Sequence, residues 1–510
     1  MSKITNLFLV ALLAGLLFPA PLNAQDVVRR GTMNEPLRPQ YHFTPPRNWN
    51  NDPNGLLYYQ GEYHLFYQYY PDSMRWGPMH WGHAVSTDLL HWKDLPIALY
   101  PDSIGYIFSG SAVTDAQNTS GFGAGTNTAM VAIFTYHDPK TKIESQAVAY
   151  STDKGRTWTK YNGNPVIPNP GLQDFRDPKV RWYAPAKQWI MAVSCHDHIA
   201  FYSSPNLKQW TKESEFGKDK GSHEGVWECP DLFPLKVNGG AESRWILTVN
   251  SGGGPSGTRG TQYFIGTFDG HTYTAMDDTT RWLEGGADEY AGVTWSNTGT
   301  RTLFLGWLDN WPGAHPDKPD YIWRGGMTLP LELALKKNAE GEQFVTKQPA
   351  AEIEKLETPL LSLDHLALTG ETWTKTFPGH QLSSSRISLT QDDPGGSVIT
   401  LSLGNDAGQH LDIVYDQRQH RLQIDRTHAD GEDFHAESPR KHSVVLSKNL
   451  KGCDMTIFYD RSVVEVFVDG GRYLTTDLVF PDHPYNKLKV STDGGTIDKL
   501  QVAAIRSVWR

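Results

Sequence analysis

Short apolar runs separated by turn-forming residues dominate the chain from Tyr41 to about Glu332, with almost no helical periodicity. The runs are rich in aromatic and β-branched residues and are flanked by Gly, Asn, Asp or Pro, a pattern typical of β-strands. Representative predicted strands are residues 63–70, 129–136, 189–194, 245–250 and 302–309. This part of the chain is therefore predicted to be all-β.

A longer repeat lies on top of these strands. The segments VSTDLLHW (85–92), YSTDKGRTW (150–158), YSSPNLKQW (202–210) and GTFDGHTY (266–273) each end a strand in Ser or Thr, or in Phe in the last segment, turn through polar residues, and close with an aromatic residue. The closing aromatics, Trp92, Trp158, Trp210 and Tyr273, lie 66, 52 and 63 residues apart. Four strands with generous loops fit this spacing, so four such units and a final one at 302–331 predict a five-bladed β-propeller. A β-sandwich is the alternative, but its strands recur without an aromatic-closed period.

The pattern changes after Glu332. Residues 333–357 are charged, and AAEIEKLE (350–357) predicts a linker helix. From about Leu360, apolar and polar residues alternate, as in RISLTQ (386–391), VITLSL (398–403) and SVVEVFVD (462–469). Such alternation indicates antiparallel strands with one wet face, stacked as two sheets. The predicted division is a propeller at 25–335, a linker at 336–359 and a β-sandwich at 360–510.

The first 24 residues read as a cleavable secretory signal. Lys3 supplies a positive charge, residues 7–18 form an apolar run, and the segment ends at Ala24. The run is too short to span a bilayer, and no later stretch approaches the roughly 20 apolar residues that a spanning helix needs. We therefore expect an exported protein, periplasmic or extracellular, without membrane insertion.

Composition narrows the possible partners. The formal net charge of −10 argues against nucleic acid or an anionic membrane surface. Three cysteines, Cys195, Cys229 and Cys453, permit at most one disulfide, so stability must come from core burial. The 17 Trp and 22 Tyr suit both β-sheet packing and platforms for the apolar faces of sugar rings. We expect a monomer or a weak homo-oligomer.

Two proline-restrained aspartates stand out in the predicted propeller. Asp52 lies in WNNDPNG (49–55), where Pro53 restricts its predecessor and Asn-Gly favours a tight turn. Such restraint suits a nucleophile, which must be held close to its target. Asp177 lies in DFRDP (174–178), where the adjacent Arg176 is expected to help keep it ionised. Either one taken alone could be a solvated turn residue.

A third carboxylate, Glu228, lies in VWECPD (226–231). Its apolar neighbours Trp227 and Cys229 are expected to desolvate it, and Asp231 would add like-charge repulsion if it pointed the same way. Both effects raise a carboxyl pKa, as a general acid working near neutral pH requires. One ionised and one protonated carboxyl is the division of labour in glycoside hydrolysis.

Ordered motifs from about Tyr41 to the C-terminus resemble glycoside hydrolase family 32, the β-fructosidases that include invertases, inulinases and levanases. The motifs are NWNNDPNG (48–55), WGPMHWGHAVSTDLLHW (76–92), FSGSAVTD (108–115), FRDPKV (175–180), WECPDLFPL (227–235), QYFIGTFDG (262–270) and WRGGMTLPLEL (323–333). The resemblance implies a five-bladed propeller followed by a β-sandwich, in agreement with the spacing. Asn50 and Tyr70 depart from the family's usual residues at their positions, which puts substrate fit in doubt rather than catalysis.

The resemblance also implies roles for individual residues. Asp52 would be the nucleophile, Glu228 the acid and base, and Asp177 the stabiliser of an oxocarbenium-like transition state. Retention of configuration would place the Asp52 and Glu228 carboxyls about 5–5.5 Å apart. No cofactor or metal is implied. The residues expected to bind the fructosyl unit are Trp49, Asn50, Asn51, Gln68, Trp76, Phe108, Ser109, Arg176 and Trp311.

Several alternatives remain open. Within the family we favour exo-type release of terminal fructose from levan or inulin, with sucrose as a further substrate, over a sucrose-specific invertase or an endo-acting levanase. Outside it, STDKGRTW (151–158) matches the Asp-box hairpin of sialidase propellers, although sialidases use a Tyr nucleophile. An inactive fructan-binding protein is a further alternative. A metal site at His80 and His83 is disfavoured by their spacing, because both lie in a predicted strand.

Overall fold

The computed structural model describes residues 32–308, 321–368, 370–392, 396–430 and 439–509. The predicted signal segment at 1–24 and Trp311 lie outside these ranges. In the described part of the chain, no helix is long and apolar enough to cross a membrane. Cys195, Cys229 and Cys453 are all buried free thiols.

The propeller consists of five antiparallel sheets that follow one another along the described chain. Blade 1 contains β1 (Asn48–Tyr59), β2 (Glu62–Tyr70), β3 (His80–Ser86) and β4 (Lys93–Leu99). Blade 2 contains β5 (Tyr106–Asp115), β6 (Ala129–His137), β7 (Glu144–Ser151) and β8 (Thr159–Lys160). Blade 3 contains β9 (Phe175–Tyr183), β10 (Gln188–Cys195), β11 (Ile199–Ser204) and β12 (Thr211–Phe216), with a short 3-10 helix at Ala184–Ala186.

The last two blades contain additional short strands. Blade 4 contains β13 (Glu224–Lys236), β14 (Ser243–Gly252), β15 (Gly260–Phe268), β16 (Tyr273–Ala275) and β17 (Arg281–Trp282). The next strands are β18 (Glu289–Thr294), β19 (Leu303–Leu308), β20 (Trp323–Arg324), β21 (Gly326–Met327), β22 (Leu331–Lys337) and β23 (Gln343–Pro349). All of these except β20 belong to blade 5.

The first strands of the blades, β1, β5, β9, β13 and β18, contact one another in a ring around the axis. The ring closes through β20, which leaves blade 5 and pairs in parallel with β1, so that Asn48 and Trp49 lie opposite Trp323 and Arg324. Because β1 carries Asp52, this closure also supports a candidate site residue.

The predicted β-sandwich follows the propeller, so the predicted fold is confirmed. Within the described residues, its twelve strands form two six-stranded sheets, ordered β24-β35-β26-β31-β32-β33 and β25-β34-β27-β28-β29-β30. Apolar side chains on alternate positions, such as Ile387 and Leu389 on one sheet and Leu401 and Ile413 on the other, fill the space between them. The strands are β24 (Glu357–Ala367), β25 (Thr372–Thr376), β26 (Ser384–Gln391), β27 (Val398–Gly404), β28 (His410–Asp416), β29 (Arg421–His428), β30 (Lys441–Val445), β31 (Cys453–Asp460), β32 (Val463–Val468), β33 (Tyr473–Leu478), β34 (Lys487–Thr492) and β35 (Thr496–Ile505).

The junction between the two parts differs from the predicted boundaries at 335 and 360. Blade 5 continues to Pro349, because β22 and β23 form a hairpin. One face of this hairpin is exposed and carries charged residues, so its sequence resembles that of a linker. The predicted linker helix is a 3-10 helix at Ala351–Leu356, and the first sandwich strand starts at Glu357. One buried cluster, which includes Phe304 from blade 5 and Phe458 from the sandwich, spans the junction.

Candidate active site

Asp52 occupies an irregular part of β1. The register of β1 against β2 shifts on both sides of Pro53, which has no N–H to donate to the ladder. The freed Asp52 carboxylate accepts hydrogen bonds from Asn51 Nδ2 at 2.9 Å and from Ser109 Oγ on β5 at 2.5 Å. Burial raises the pKa of Asp52, the negative charge of Glu228 adds to that, and the two hydrogen bonds oppose it. The side chain is therefore held from two blades.

Asp177 lies on β9 with a backbone φ of 63°, in the left-handed region that non-glycine residues rarely adopt. Such a conformation is typical of positions where the surrounding structure fixes a functional side chain. Its Oδ2 accepts a hydrogen bond from the backbone N–H of Cys229 at 3.0 Å. Burial raises the pKa of Asp177 to about 8 and outweighs the opposing charge of Arg176. Arg176 thus favours the ionised form of Asp177, as expected, but its charge does not offset the effect of burial.

Glu228 lies on β13 between two donors. Arg176 donates from its NH2 group to Oε1 at 3.0 Å, and Tyr290 donates its hydroxyl to Oε2 at 2.7 Å. Trp227 and Asp231, which were expected to affect the Glu228 carboxyl, have other hydrogen-bond or ion-pair partners. The indole N–H of Trp227 donates to the backbone oxygen of Ser222, and the carboxylate of Asp231 pairs with Lys179.

Arg176 connects the acids on the neighbouring strands. Its guanidinium contacts Asp174, Glu144 and Glu228, and its Nε lies 4.0 Å from Asp177 Oδ2. Burial would lower the pKa of Arg176, but the surrounding carboxylates raise it well above its ordinary value. A permanently charged arginine at this position fixes the orientation of Glu228.

Cys229 shows that Asp52 and Asp177 lie close together. Its Sγ is 3.5 Å from Asp52 Oδ2 and 3.7 Å from Asp177 Oδ2. Burial raises the pKa of this thiol well above its ordinary value, so it remains protonated and donates. Asp52, Asp177 and Glu228, from three different blades, thus line one cavity of about 1050 Å³.

Most of the predicted binding residues also line this cavity: Asn51, Gln68, Trp76, Phe108, Ser109 and Arg176. Trp49 and Asn50 do not, and their prediction as substrate contacts is corrected here. Asn50 is fully buried beside Gly325, and Trp49, 1% exposed, donates its indole N–H to Asn51 Oδ1 at 2.7 Å. Trp49 thus supports a cavity residue from behind.

The sequence reasoning missed several cavity residues: His137, Glu144, Asp174, Arg259, Tyr290 and Trp307. His137 stacks on Phe108 with ring centroids 4.3 Å apart, so the aromatic wall is a pair of rings. None of these residues is itself a proline-restrained acid or one of the binding positions that the family resemblance implied. Asp174 stands within DFRDP, and its contact with Arg176 could have been found there.

The alternative sites lie elsewhere. In the Asp-box segment, Asp153 accepts hydrogen bonds from Ser151 and Thr157 within its own turn, and none of these three residues lines the cavity. His83 contacts His64 Nδ1 at 3.0 Å instead of sharing a ligand with His80. Among the described residues, no group of three or more His, Cys, Asp or Glu could hold a metal ion.

A propeller whose central cavity gathers three carboxyls in unequal electrostatic settings is the arrangement of a glycoside hydrolase. Comparison with known families identifies which one. The family model described as "Glycosyl hydrolases family 32 N-terminal domain" matches residues 42–348. The model described as "Glycosyl hydrolases family 32 C terminal" matches residues 346–505. The chain belongs to glycosyl hydrolase family 32.

Individual relatives agree with this assignment. The chain is 43% identical over 505 residues to a levanase of Bacillus subtilis (strain 168), which covers 95% of this chain and 72% of that protein. It is 35% identical to an extracellular exo-inulinase of Aspergillus awamori, over 93% of this chain and 96% of that protein. The crystal structure of exo-inulinase from Aspergillus awamori matches with a TM-score of 0.86 at 34% identity, over 93% of this chain and 99% of that one.

Proposed function

We propose that the protein is a retaining β-fructosidase that releases terminal fructose from fructans by double displacement. Asp52 attacks the anomeric carbon of the fructosyl unit and forms a covalent intermediate. Glu228 protonates the leaving oxygen and then activates the water that hydrolyses the intermediate. The position of Asp52 between two hydrogen-bond donors supports its role, because both donors favour the carboxylate form.

Asp177 has a different proposed role. A carboxyl whose pKa is about 8 is protonated over most of the neutral range, so it can donate a hydrogen bond. We propose that it holds hydroxyl groups of the fructosyl ring while charge develops at the anomeric carbon. Its close approach to Asp52 across the Cys229 thiol, within one cavity, is the single observation that carries the mechanism.

The cavity wall supports a sugar substrate. Trp76, 40% exposed, and Phe108 lie edge to face with ring centroids 6.0 Å apart, and they offer apolar surface next to the polar acids. Gln68 is 2% exposed, and its amide nitrogen has no hydrogen-bond partner within the described residues, so it is available to a ligand hydroxyl. The names of the levanase and exo-inulinase relatives favour levan or inulin, with sucrose as a further substrate.

Product chromatography on levan, inulin and sucrose in parallel tests this proposal. Exo-action predicts fructose as the first and dominant product from both polymers. Early oligosaccharides would indicate endo-action, and turnover of sucrose alone would indicate an invertase. The Asp52→Asn variant should lose release by about 10⁴-fold or more while still binding fructan. Undiminished release by this variant would remove Asp52 from its proposed role.

We also propose that the protein acts outside the cytoplasm. Support for this location comes from relatives whose names describe them as extracellular exo-inulinases. Fractionation of expressing cells, with N-terminal sequencing of the mature chain, tests whether cleavage occurs near Ala24. Gel filtration of the same material tests the expected monomer or weak homo-oligomer.

A further inference from the structure

Three polar side chains meet on the propeller axis just beyond the candidate acids. Lys179 follows Asp177 by two residues on β9, and Asp231 follows Glu228 by three on β13. Thr294, the last residue of β18, completes the group. We name Lys179, Asp231 and Thr294 the axial clamp, because they join three neighbouring blades.

The clamp is tightly bonded. Lys179 Nζ lies 2.9 Å from Asp231 Oδ2 and donates to the backbone oxygen of Thr294 at 2.5 Å. The backbone N–H and the hydroxyl of Thr294 each donate to Asp231 Oδ2 at 2.7 Å. The Asp231 side chain is 1% exposed and that of Lys179 is 10% exposed. Removing one partner of such a buried pair leaves an uncompensated charge, which is strongly unfavourable.

The clamp separates two cavities along the axis. The larger is the candidate active site, and a second cavity of about 200 Å³ is lined by Lys179, Asp231 and Thr294 themselves, among others. The two cavities share no lining residue. On β9 and β13, residues of the larger cavity come first and residues of the smaller one follow. The clamp therefore follows the active-site cavity along both strands and lines the smaller cavity instead.

We propose that Lys179, Asp231 and Thr294 are positioning residues that set the relative placement of Asp177 and Glu228. The inference rests on the proposed function for its catalytic consequence. Because a strand rises only about 3.3 Å per residue, the clamp lies within about 10 Å of the acids along β9 and β13. Catalytic groups tolerate little misplacement, and an error of about 1 Å can lower a rate about 100-fold.

The first test compares two carboxylate-to-amide changes. Asp231→Asn removes the charge of the clamp and keeps its shape. Asp115→Asn is the matched control, since Asp115 is equally buried and accepts four hydrogen bonds from Thr119 and Ser120 in a loop that lines neither cavity. Asp231→Asn should lower kcat on sucrose or inulin by about tenfold or more and leave KM within about twofold. Asp115→Asn should leave kcat within about twofold even where its Tm falls.

The second test uses the hydroxyl of the clamp. Thr294→Val removes the hydroxyl donor, and Thr294→Ser retains it. Thr248→Val is the control, because Thr248 lies opposite Asp231 on β14 and its buried hydroxyl has no hydrogen-bond partner within the described residues. Thr294→Val should lower kcat several-fold, Thr294→Ser should restore most of it, and Thr248→Val should change it little. Equal losses in Thr294→Val and Thr294→Ser, or in Asp231→Asn and Asp115→Asn, would overturn the proposal.

Crystal structures of Asp231→Asn and Asp115→Asn provide a readout that needs no substrate. The hydrogen bond from Cys229 N to Asp177 Oδ2, 3.0 Å here, should lengthen or break in the first variant only. Unchanged acids in Asp231→Asn would refute the positioning role. If the wild-type protein released no sugar from any fructan, the proposed function would fail, whereas this comparison would still decide the role of the clamp.

Discussion

The hydroxyl of Ser109 controls the charge state of the proposed nucleophile. Its Oγ donates to Asp52 Oδ2 at 2.5 Å, and this bond is the largest effect that opposes the rise in the pKa of Asp52 caused by burial. Ser109→Ala leaves the carboxylate with Asn51 Nδ2 and the weakly donating thiol of Cys229. Because the lost bond favours the ionised form, its removal must raise the pKa of Asp52 further.

The expected size of the pKa shift follows from the strength of the lost hydrogen bond. A hydrogen bond to a charged group contributes about 1.5–3 kcal/mol, and one pKa unit corresponds to about 1.4 kcal/mol, so the full shift would be about 1–2 units. Asp52 is only partly buried and lines the cavity, so the lower half of that range is the expected one. The acid limb of kcat/KM should therefore move to higher pH by about one unit, because this limb reports ionisation in the free enzyme.

The assay is the initial rate of fructose release from sucrose across the pH range in which the protein stays folded. Ser203→Ala is the matched control, since Ser203 donates to Glu213 over the same 2.5 Å on the outer strands of blade 3. That variant should keep the wild-type pH profile. An acid limb that stays in place in Ser109→Ala, or moves to lower pH, would refute the reasoning that Asp52 is the ionising group.

Three further predictions concern the acids and the domain junction. Glu228→Gln should lose most activity on sucrose but less on a fructoside with a good leaving group, which rate comparison of the two substrates measures. The pKa of Asp177, raised to about 8 from 3.8, means that its ionisation destabilises the fold as pH rises between these values. Asp177→Asn should therefore raise Tm relative to wild type more at pH 9 than at pH 5 in calorimetry, and a pH-independent difference would contradict this. Burial would lower the pKa of His42, but the hydrogen bond to Asp460 and the nearby charge of Glu465 raise it to about 9, so the stability it contributes is full below pH 6.5 and is lost as pH rises through 9. His42→Gln should accordingly lower Tm at pH 6 and have a vanishing effect by pH 10.

The architecture was predictable because the two patterns that indicate it, the strand alternation and the recurring closing aromatic residues, are local in sequence. Strand alternation and the aromatic closing residues, such as Trp92 and Trp158, lie within single hairpins, and the fold follows from their spacing. The end of blade 5 was predicted too early in the chain, for a physical reason. Lys336 and Lys337 end a strand whose wet face carries charge, and such a strand reads like a linker until its partner is known.

From the residues alone, the candidate site was predictable only where a residue carries its own local constraint, whereas cavity residues such as Gln68 and Phe108 were predicted from the family resemblance. Asp52, Asp177 and Glu228 were found because prolines and unusual neighbours mark them. The electrostatic settings were not predictable, since they depend on residues distant in sequence. Tyr290 donates a hydrogen bond to Glu228 from 62 positions away, and no feature of its neighbouring sequence indicates this role. Asn50 was misjudged because the face to which a residue of an irregular strand points is set by the register shift at Pro53.

The parallel pairing of β20 with β1 has a consequence for biosynthesis. The strand that bears Asp52 leaves the ribosome early, yet its edge partner at Trp323–Arg324 emerges only after all five blades have been started. A nascent or truncated chain that ends before Trp323 contains all three acids but leaves one edge of β1, at Asn48 and Trp49, without its parallel partner. Because β1 positions Asp52, we expect the growing polypeptide to gain catalytic competence only after this edge is paired.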